Sequence, residues 1–347
     1  MNRKHFVSSL IGLSMVPKLR TDQSAESGVL MTDVANDSAR WTLPPYLNSG
    51  DEIGICCPAG FMTPEEIRPA LDQIDQWGYK VRIGDTVGKR DFTFGGTDEE
   101  RIQDFQRLLD DPSLKAILCA RGGYGSIRII DSLDFTEFVK KPKWIIGFSD
   151  VTVIHSHLFR NYRVCTIHSK MCNSFPDDWA KAEPVQMDSI LSIKKALSGE
   201  KMNYELASSA YNRSGSAEGI LLGGNLKTIE TLSGTKSDLS TDGAILFTED
   251  TGEYLYSIDR MFWNLKRTGK LNKLAGLIIG GFKIKPDDPG EEFGRTLADI
   301  VTEKVKDYNY PVCFDFPVGH QKENFALKCG VKHRLQVDKD QTKLVEL

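Results

Sequence analysis

Segments of strand character alternate with segments of helical character between residues 51 and 170, and this alternation strongly constrains the fold. Strand-like runs occur at residues 53–57, 80–83, 115–119 and 143–147. Helix-start signatures lie between them. Thr63 with Glu66 predicts a helix that begins at Pro64, and Thr97 with Glu100 predicts another. Strands alternating with helices predict a parallel sheet covered on both faces by helices.

The pattern changes in the second half of the 347-residue chain. Residues 171–216 are polar apart from one predicted helix after Pro184, and we interpret them as a connection between domains. Strand-like runs and helices then resume, with strands predicted at 219–222, 244–247 and 277–279 and helices near 225–232, 257–267 and 291–305. The sequence thus predicts a signal-like segment and linker (1–50), an N-terminal domain (51–170), the connection, and a C-terminal domain (217–340).

Charge and cysteine content argue against several classes of protein. Lys and Arg total 44 against 48 Asp and Glu, for a net charge of −4, so the basic excess of proteins that bind nucleic acid or anionic membranes is missing. No run reaches the roughly 18–20 apolar residues of a membrane helix. Seven scattered cysteines form no Cys-x-x-Cys pair. We therefore expect buried, reduced cysteines, no metal or other cofactor, and a small molecule as the ligand.

The first residues have the character of a targeting segment. Arg3 and Lys4 precede a short apolar run at residues 6–17, and a polar stretch follows at 23–37. This start resembles a twin-arginine export signal with Lys in place of the second Arg. It favours export to the periplasm; the alternative is a cytoplasmic protein with an irregular N-terminus.

Ser149 lies at a predicted strand-to-helix turn. Gly147-Phe148-Ser149-Asp150 follows the strand at 143–147 and precedes a predicted helix at 151–160. A sharp turn there lifts a serine hydroxyl above the sheet edge, as in a nucleophile elbow. The usual signature ends in Gly, and this chain has Val151 instead. A simple helix N-cap is therefore the alternative role of Ser149.

A glycine-rich loop, Arg121-Gly122-Gly123-Tyr124-Gly125, follows a predicted strand at the same sheet edge. Backbone N–H groups in such a loop can approach a phosphate or an oxyanion, although the loop is also consistent with a simple tight turn. It matches neither the P-loop nor the dinucleotide-binding pattern.

Two further residues complete a possible catalytic set. Glu249 ends the apolar run at 244–248, and His320 follows a loop that contains Pro317 and Gly319. Ser149, Glu249 and His320 supply a nucleophile, an acid and a base in one of the chain orders that a catalytic triad can take.

An ordered set of motifs resembles the LD-carboxypeptidases, serine peptidases that include muramoyltetrapeptide carboxypeptidase and the microcin-C immunity peptidases. The resemblance spans residues 51–338 and rests on the motifs Cys57-Pro58-Ala59-Gly60, Ala120-Arg121-Gly122-Gly123-Tyr124-Gly125, Ile146-Gly147-Phe148-Ser149-Asp150-Val151-Thr152, Gly223-Gly224-Asn225-Leu226, Phe247-Thr248-Glu249-Asp250 and Phe314-Asp315-Phe316-Pro317-Val318-Gly319-His320.

The resemblance implies roles for particular residues. It implies that Ser149 is the nucleophile, Glu249 the acid and His320 the base, and that the backbone N–H groups of Gly123 and Asp150 form the oxyanion hole. It also implies a flavodoxin-like, parallel-sheet α/β N-terminal domain and a mixed β/α C-terminal domain, with an interfacial active site, commonly in a homodimer.

The chain departs from the family pattern at one place: His168-Ser169-Lys170 stands where relatives often carry His-Gly-Pro. This departure leaves the local substrate wall unassigned, and we assign no substrate-binding residues.

The resemblance leads to a principal functional hypothesis and two alternatives. The principal one is a metal-independent serine carboxypeptidase that releases a terminal D-amino acid from murein tetrapeptides by cutting an L,D-amide. One alternative is a microcin-C-type hydrolase of peptidyl-aminoacyl nucleotides, in which Trp179 or Trp263 stacks on the base. The other is a binding module without catalysis, which predicts a disrupted triad.

Overall fold

The computed structural model describes residues 41–347. The signal-like segment and most of the linker, residues 1–40, lie outside the described residues. No helix within 41–347 combines the length and the apolar character needed to cross a membrane. All seven cysteines are buried free thiols, as expected from their positions in the sequence.

The N-terminal half supplies five of the six strands of the first sheet. Its elements are β1 Glu52–Cys56, α1 Arg68–Gln76, β2 Lys80–Ile83, α2 Asp98–Asp110, β3 Leu114–Cys119, α3 Ser126–Ile129, α4 Thr136–Lys140, β4 Trp144–Gly147, α5 Thr152–Tyr162 and β5 Thr166–His168. These strands lie parallel in the order β2-β1-β3-β4-β5, which is the flavodoxin-like order. The predicted α/β fold of this half is confirmed.

The first helix begins four residues later than the sequence suggests, because α1 starts at Arg68. The reciprocal hydrogen bonds of the predicted capping box do form between Thr63 and Glu66, at 2.7 and 3.3 Å. However, Pro69 has no N–H to donate to the carbonyl of Glu65, which an uninterrupted helix would require. The Arg68 N–H donates to that carbonyl instead, at 3.1 Å, in a tighter turn.

The second sheet is mixed, as predicted for the C-terminal half. The remaining elements are α6 Pro184–Ser198, β6 Asn203–Ala207, β7 Gly215–Asn225, α7 Leu226–Thr231, β8 Ala244–Thr251, α8 Leu255–Arg267, β9 Gly276–Lys283, α9 Leu297–Val305, β10 Val312–Cys313, β11 Leu327–Cys329, β12 Lys332–Val337 and β13 Gln341–Glu346. Seven strands have the order β10-β9-β8-β7-β12-β13-β6. The first four are parallel, and the others pair antiparallel.

Two pairings connect parts of the chain that the sequence pattern kept apart. Strand β11 comes from the C-terminal half, yet it pairs antiparallel with β5 at the edge of the first sheet, with Leu327 opposite His168. The segment 171–216 supplies β6 to the second sheet. It also supplies α6, whose apolar side chains share a core with those of α1. This segment is thus structural as well as connecting.

Candidate active site

The turn after β4 presents Ser149. Ser149 has a φ of +62° and begins a single 3₁₀ turn that leads into α5. A Cβ atom at Gly147 would lie 3.0 Å from Val151 Cγ2, so a larger residue there would crowd the turn. A left-handed conformation is unfavourable for any residue except glycine. The elbow predicted from the sequence therefore forms, with Val151 in the position where the usual signature has Gly.

Ser149, His320 and Glu249 form one continuous chain of hydrogen bonds. His320 Nε2 lies 3.1 Å from Ser149 Oγ, and His320 Nδ1 lies 2.5 Å from Glu249 Oε2. The His320 side chain is 19% exposed, whereas that of Glu249 is fully buried. The structure thus brings together the three residues that the sequence nominated, although they are far apart in the chain.

The loop that carries His320 requires glycine at position 319. Gly319 has a φ of +107°, and a Cβ there would lie 2.4 Å from Glu249 Cβ. Its N–H donates to Asn324 Oδ1 at 2.9 Å, which closes the loop on itself. The Phe148 ring packs against the imidazole with centroids 4.9 Å apart. These contacts determine where the imidazole lies.

Glu249 occupies an irregularity in β8. The register with β9 shifts between Thr248 and Asp250, on either side of Glu249. Its Oε2 contacts His320, and within residues 41–347 its Oε1 has no hydrogen-bond partner. A buried carboxylate is stable only when it is paired. The contact with the His320 imidazole therefore supplies the pairing that the buried Glu249 carboxylate needs.

Gly123 and Asp150 line the same cleft as Ser149. Gly123 has a φ of +103°, and its loop runs beside the serine: a Cβ on Gly122 would lie 3.0 Å from Ser149 Cβ. Asp150 stands in the first turn before α5, where backbone N–H groups have no helical acceptor. Its carboxylate accepts from the Ser126 N–H at 2.8 Å, and burial raises its pKa.

The Ser149 cleft has a volume of about 370 Å³ and a wall that the sequence did not assign. Polar residues of the C-terminal half form this wall, among them Asn225, Lys227, Asp250 and Glu253. Burial raises the pKa of Asp250 to about 6, although the Thr251 N–H and other donors oppose this shift. One feature of the sequence could have identified these wall residues. They lie at or just after the carboxyl ends of β7 and β8, and this is the edge where α/β sheets bind ligands.

Two other histidines contact residues of the turn that presents Ser149. His155 Nε2 is 3.0 Å from the carbonyl of Gly147, and burial lowers its pKa to about 4. His168 is fully buried between Phe148 and Phe247, and burial holds its pKa well below the usual value. Within residues 41–347, no three or more His, Cys, Asp or Glu side chains are grouped so that they could hold a metal ion.

Sequence comparisons identify the family. The LD-carboxypeptidase N-terminal domain matches residues 53–169, and the LD-carboxypeptidase C-terminal domain matches residues 218–335. A Bacillus subtilis protein named probable murein peptide carboxypeptidase is 30% identical over 298 residues, covering 83% of this chain and 90% of the relative. The chain belongs to the LD-carboxypeptidase family. It is thus related to serine peptidases, a class of hydrolases.

Other members of the LD-carboxypeptidase family have names that refer to two different activities. The structure of a muramoyltetrapeptide carboxypeptidase from Oxalobacter formigenes is 26% identical and superposes with a TM-score of 0.76, covering 85% of this chain and 99% of that one. The microcin C7 self-immunity protein MccF from Escherichia coli is 25% identical over 325 residues, covering 86% of this chain and 94% of that protein. Family membership therefore leaves two substrate classes to be compared.

Proposed function

We propose that this member of the LD-carboxypeptidase family is a metal-independent serine carboxypeptidase that releases a terminal D-amino acid from murein-type tetrapeptides. The observation that supports this proposal most directly is the hydrogen-bonded chain from Ser149 through His320 to the buried Glu249. A binding module without catalysis would have no need of this arrangement, which requires a left-handed serine and a buried carboxylate.

In the proposed reaction, His320 is the general base. With its Nδ1–H donated to Glu249, the imidazole presents the lone pair of Nε2 to Ser149. Nε2 accepts the serine proton while Oγ attacks the carbonyl carbon of the L-residue. The backbone N–H groups of Gly123 and Asp150 stabilise the oxyanion, each contributing about 3–4 kcal/mol.

The second half of the reaction restores the enzyme. The carbon–nitrogen bond breaks, His320 passes its proton to the departing amine of the D-amino acid, and an acyl-serine remains. His320 then takes a proton from water, whose oxygen attacks the acyl carbon, and finally returns a proton to Ser149. This sequence uses only side chains of the chain itself, a peptide and water.

The charged side chains that line the cleft favour a charged peptide as the substrate. Its wall carries the carboxylates of Asp250 and Glu253 together with the amine of Lys227. Such a wall suits a peptide that bears both ammonium and carboxylate groups, as murein stem peptides do. The name of the Bacillus subtilis relative, murein peptide carboxypeptidase, agrees with this choice.

The alternative is a microcin-type peptidyl-aminoacyl nucleotide, suggested by the similarity to MccF. This hypothesis assigned base stacking to Trp179 or Trp263. Neither residue lines the Ser149 cleft, where Tyr124 is the aromatic side chain. Trp263 instead lies on α8 near the amines of Lys266 and Lys304. The position of the two tryptophans therefore favours the murein-type substrate.

The test is to incubate the purified protein with a tetrapeptide that lacks the disaccharide and to detect released D-alanine by mass spectrometry. We expect release that persists in EDTA and that falls by about 10⁴-fold or more in Ser149→Ala. Glu249→Gln should lose most of kcat, because an amide cannot stabilise the imidazolium. Faster turnover of a peptidyl-aminoacyl nucleotide would support the alternative, and inactivation by EDTA with recovery in zinc would reject the serine mechanism.

A further inference from the structure

Lys170 lies immediately beside the catalytic turn. It follows β5, and the next residue, Met171, packs against that turn: a Cβ on Gly147 would lie 3.2 Å from Met171 Sδ. The backbone is tied to the same place, because the Ser169 N–H donates to the carbonyl of Gly147 at 3.2 Å. Lys170 therefore projects from a segment whose position is fixed relative to Ser149.

The amine of Lys170 reaches the loop that carries His320. Its Nζ donates to the carbonyl oxygen of Gln321 at 2.7 Å, a contact between residues 151 positions apart. Gln321 is held from two other sides: its N–H donates to Gly319 O at 2.9 Å, and its side-chain amide donates to Phe316 O at 3.0 Å. Gln321, the residue that follows His320, is thus fixed to the segment beside Ser149.

Burial lowers the pKa of Lys170, whereas Glu323 and Glu249 favour its charged form. The ammonium group can donate three hydrogen bonds, and one of them reaches the carbonyl of Gln321.

We propose that Lys170 is a positioning residue for His320. Through Gln321 it holds the imidazole at hydrogen-bonding distance from Ser149. The inference rests on the proposed function, because it takes His320 to be the general base.

The test compares the full-length protein with Lys170→Met, Lys170→Gln and Lys170→Arg. The ring signals of His320 are followed by NMR, with His320→Asn used to assign them, and kcat and KM are measured on the pH plateau. In Lys170→Met we expect the ring signals to shift and broaden, because the imidazole is no longer held in one position. The plateau kcat should fall about 5-fold to 10-fold, with KM within 2-fold of its original value.

The other variants test the hydrogen bond itself. Lys170→Gln keeps a donor on a shorter side chain, so it should lose less of kcat than Lys170→Met. Lys170→Arg keeps a long side chain with a donor, so it should restore both kcat and the ring signals. Lys322→Met is the matched control: Lys322 is also near His320 in sequence, but it is 70% exposed and pairs with Glu183, so its removal should change neither quantity.

Two results would overturn the proposal: unchanged His320 ring signals and plateau kcat in Lys170→Met, or equal changes in Lys322→Met. The NMR measurement needs no substrate. Failure of the proposed peptidase function, seen as absence of turnover in the unmodified protein, is therefore distinguishable from failure of the role of Lys170.

Discussion

At the scale of single residues, Ser149 combines an unfavourable backbone conformation with the position of a nucleophile. Its φ of +62° is the left-handed conformation that glycine adopts without strain. Ser149→Ala and Ser149→Gly both remove the hydroxyl, so the difference between them reports on the backbone alone. We expect the glycine variant to be more stable by about 1 kcal/mol in chemical denaturation, with turnover abolished in both. Equal stability, or a more stable alanine variant, would show that the turn is unstrained.

The titration of Asp250 should make the stability of the protein depend on pH. Burial raises its pKa from 3.8 to about 6, so the folded state binds this proton more tightly than the unfolded chain does. The resulting stability is complete below the unfolded pKa and is lost as the pH rises through about 6. The loss amounts to at most about 3 kcal/mol.

Asp250→Asn should remove this dependence. We expect the free energy of unfolding of the variant, measured at several pH values between 4 and 7, to lack the decline that Asp250 contributes in the original protein. The difference between the two proteins is the relevant quantity, because all other groups titrate in both. A difference that is constant with pH would mean that Asp250 titrates normally.

At the scale of elements, the C-terminal end of α2 depends on a buried lysine. Lys143 Nζ donates to the carbonyls of Leu108 and Leu109, each at 2.9 Å, and to that of Asp111. The last carbonyls of a helix have no partner within the helix. Burial lowers the pKa of Lys143 to about 8, yet its amine supplies the donors for three carbonyls at this helix end.

Lys143→Met should therefore destabilise the protein by about 2–4 kcal/mol, because buried carbonyl groups lose their donor. The measurement is chemical denaturation, with the exposed Lys141→Met as the control, for which we expect a change within about 0.5 kcal/mol. If both variants lose the same small amount, the carbonyls find other donors and the lysine is dispensable.

At the scale of the whole molecule, a buried ion pair joins the two sheets. Lys328 lies on β11 in the first sheet and Glu346 on β13 in the second, with Nζ and Oε1 3.1 Å apart. The same amine donates to the carbonyl of Glu200 at 2.7 Å and lies 4.8 Å from the centre of the Tyr46 ring. Because strands of both sheets meet here, we expect residues 41–347 to unfold as one unit.

Lys328→Met leaves the carboxylate of Glu346 buried without its cation, so we expect a loss of about 3 kcal/mol. Calorimetry should show a single transition in both the original protein and the variant. The control is Lys332→Met, since Lys332 is exposed and its ion pair with Glu218 contributes little. Two separate transitions in the original protein would show that the halves are independent.

Local signals in the sequence determined much of the element pattern and the nomination of the site. The runs at 80–83 and 115–119 become β2 and most of β3, and the capping box at Thr97 does begin α2. The turn at Ser149 was also readable, because a strand, a sharp turn and a helix are adjacent in the chain. Such signals succeed because they depend on interactions between residues only a few positions apart.

The contacts between distant segments, in contrast, depend on the tertiary structure. The pairing of β11 with β5, the Lys170–Gln321 contact and the wall formed by Asn225 and Glu253 join parts of the chain with no local signal in common. The hydrogen bond between Ser149 and His320 spans 171 positions; sequence reasoning nominated both residues, but only the folded chain sets their distance. The physical reason is that such contacts depend on which surfaces are buried together, and that is settled by the packing of the whole chain.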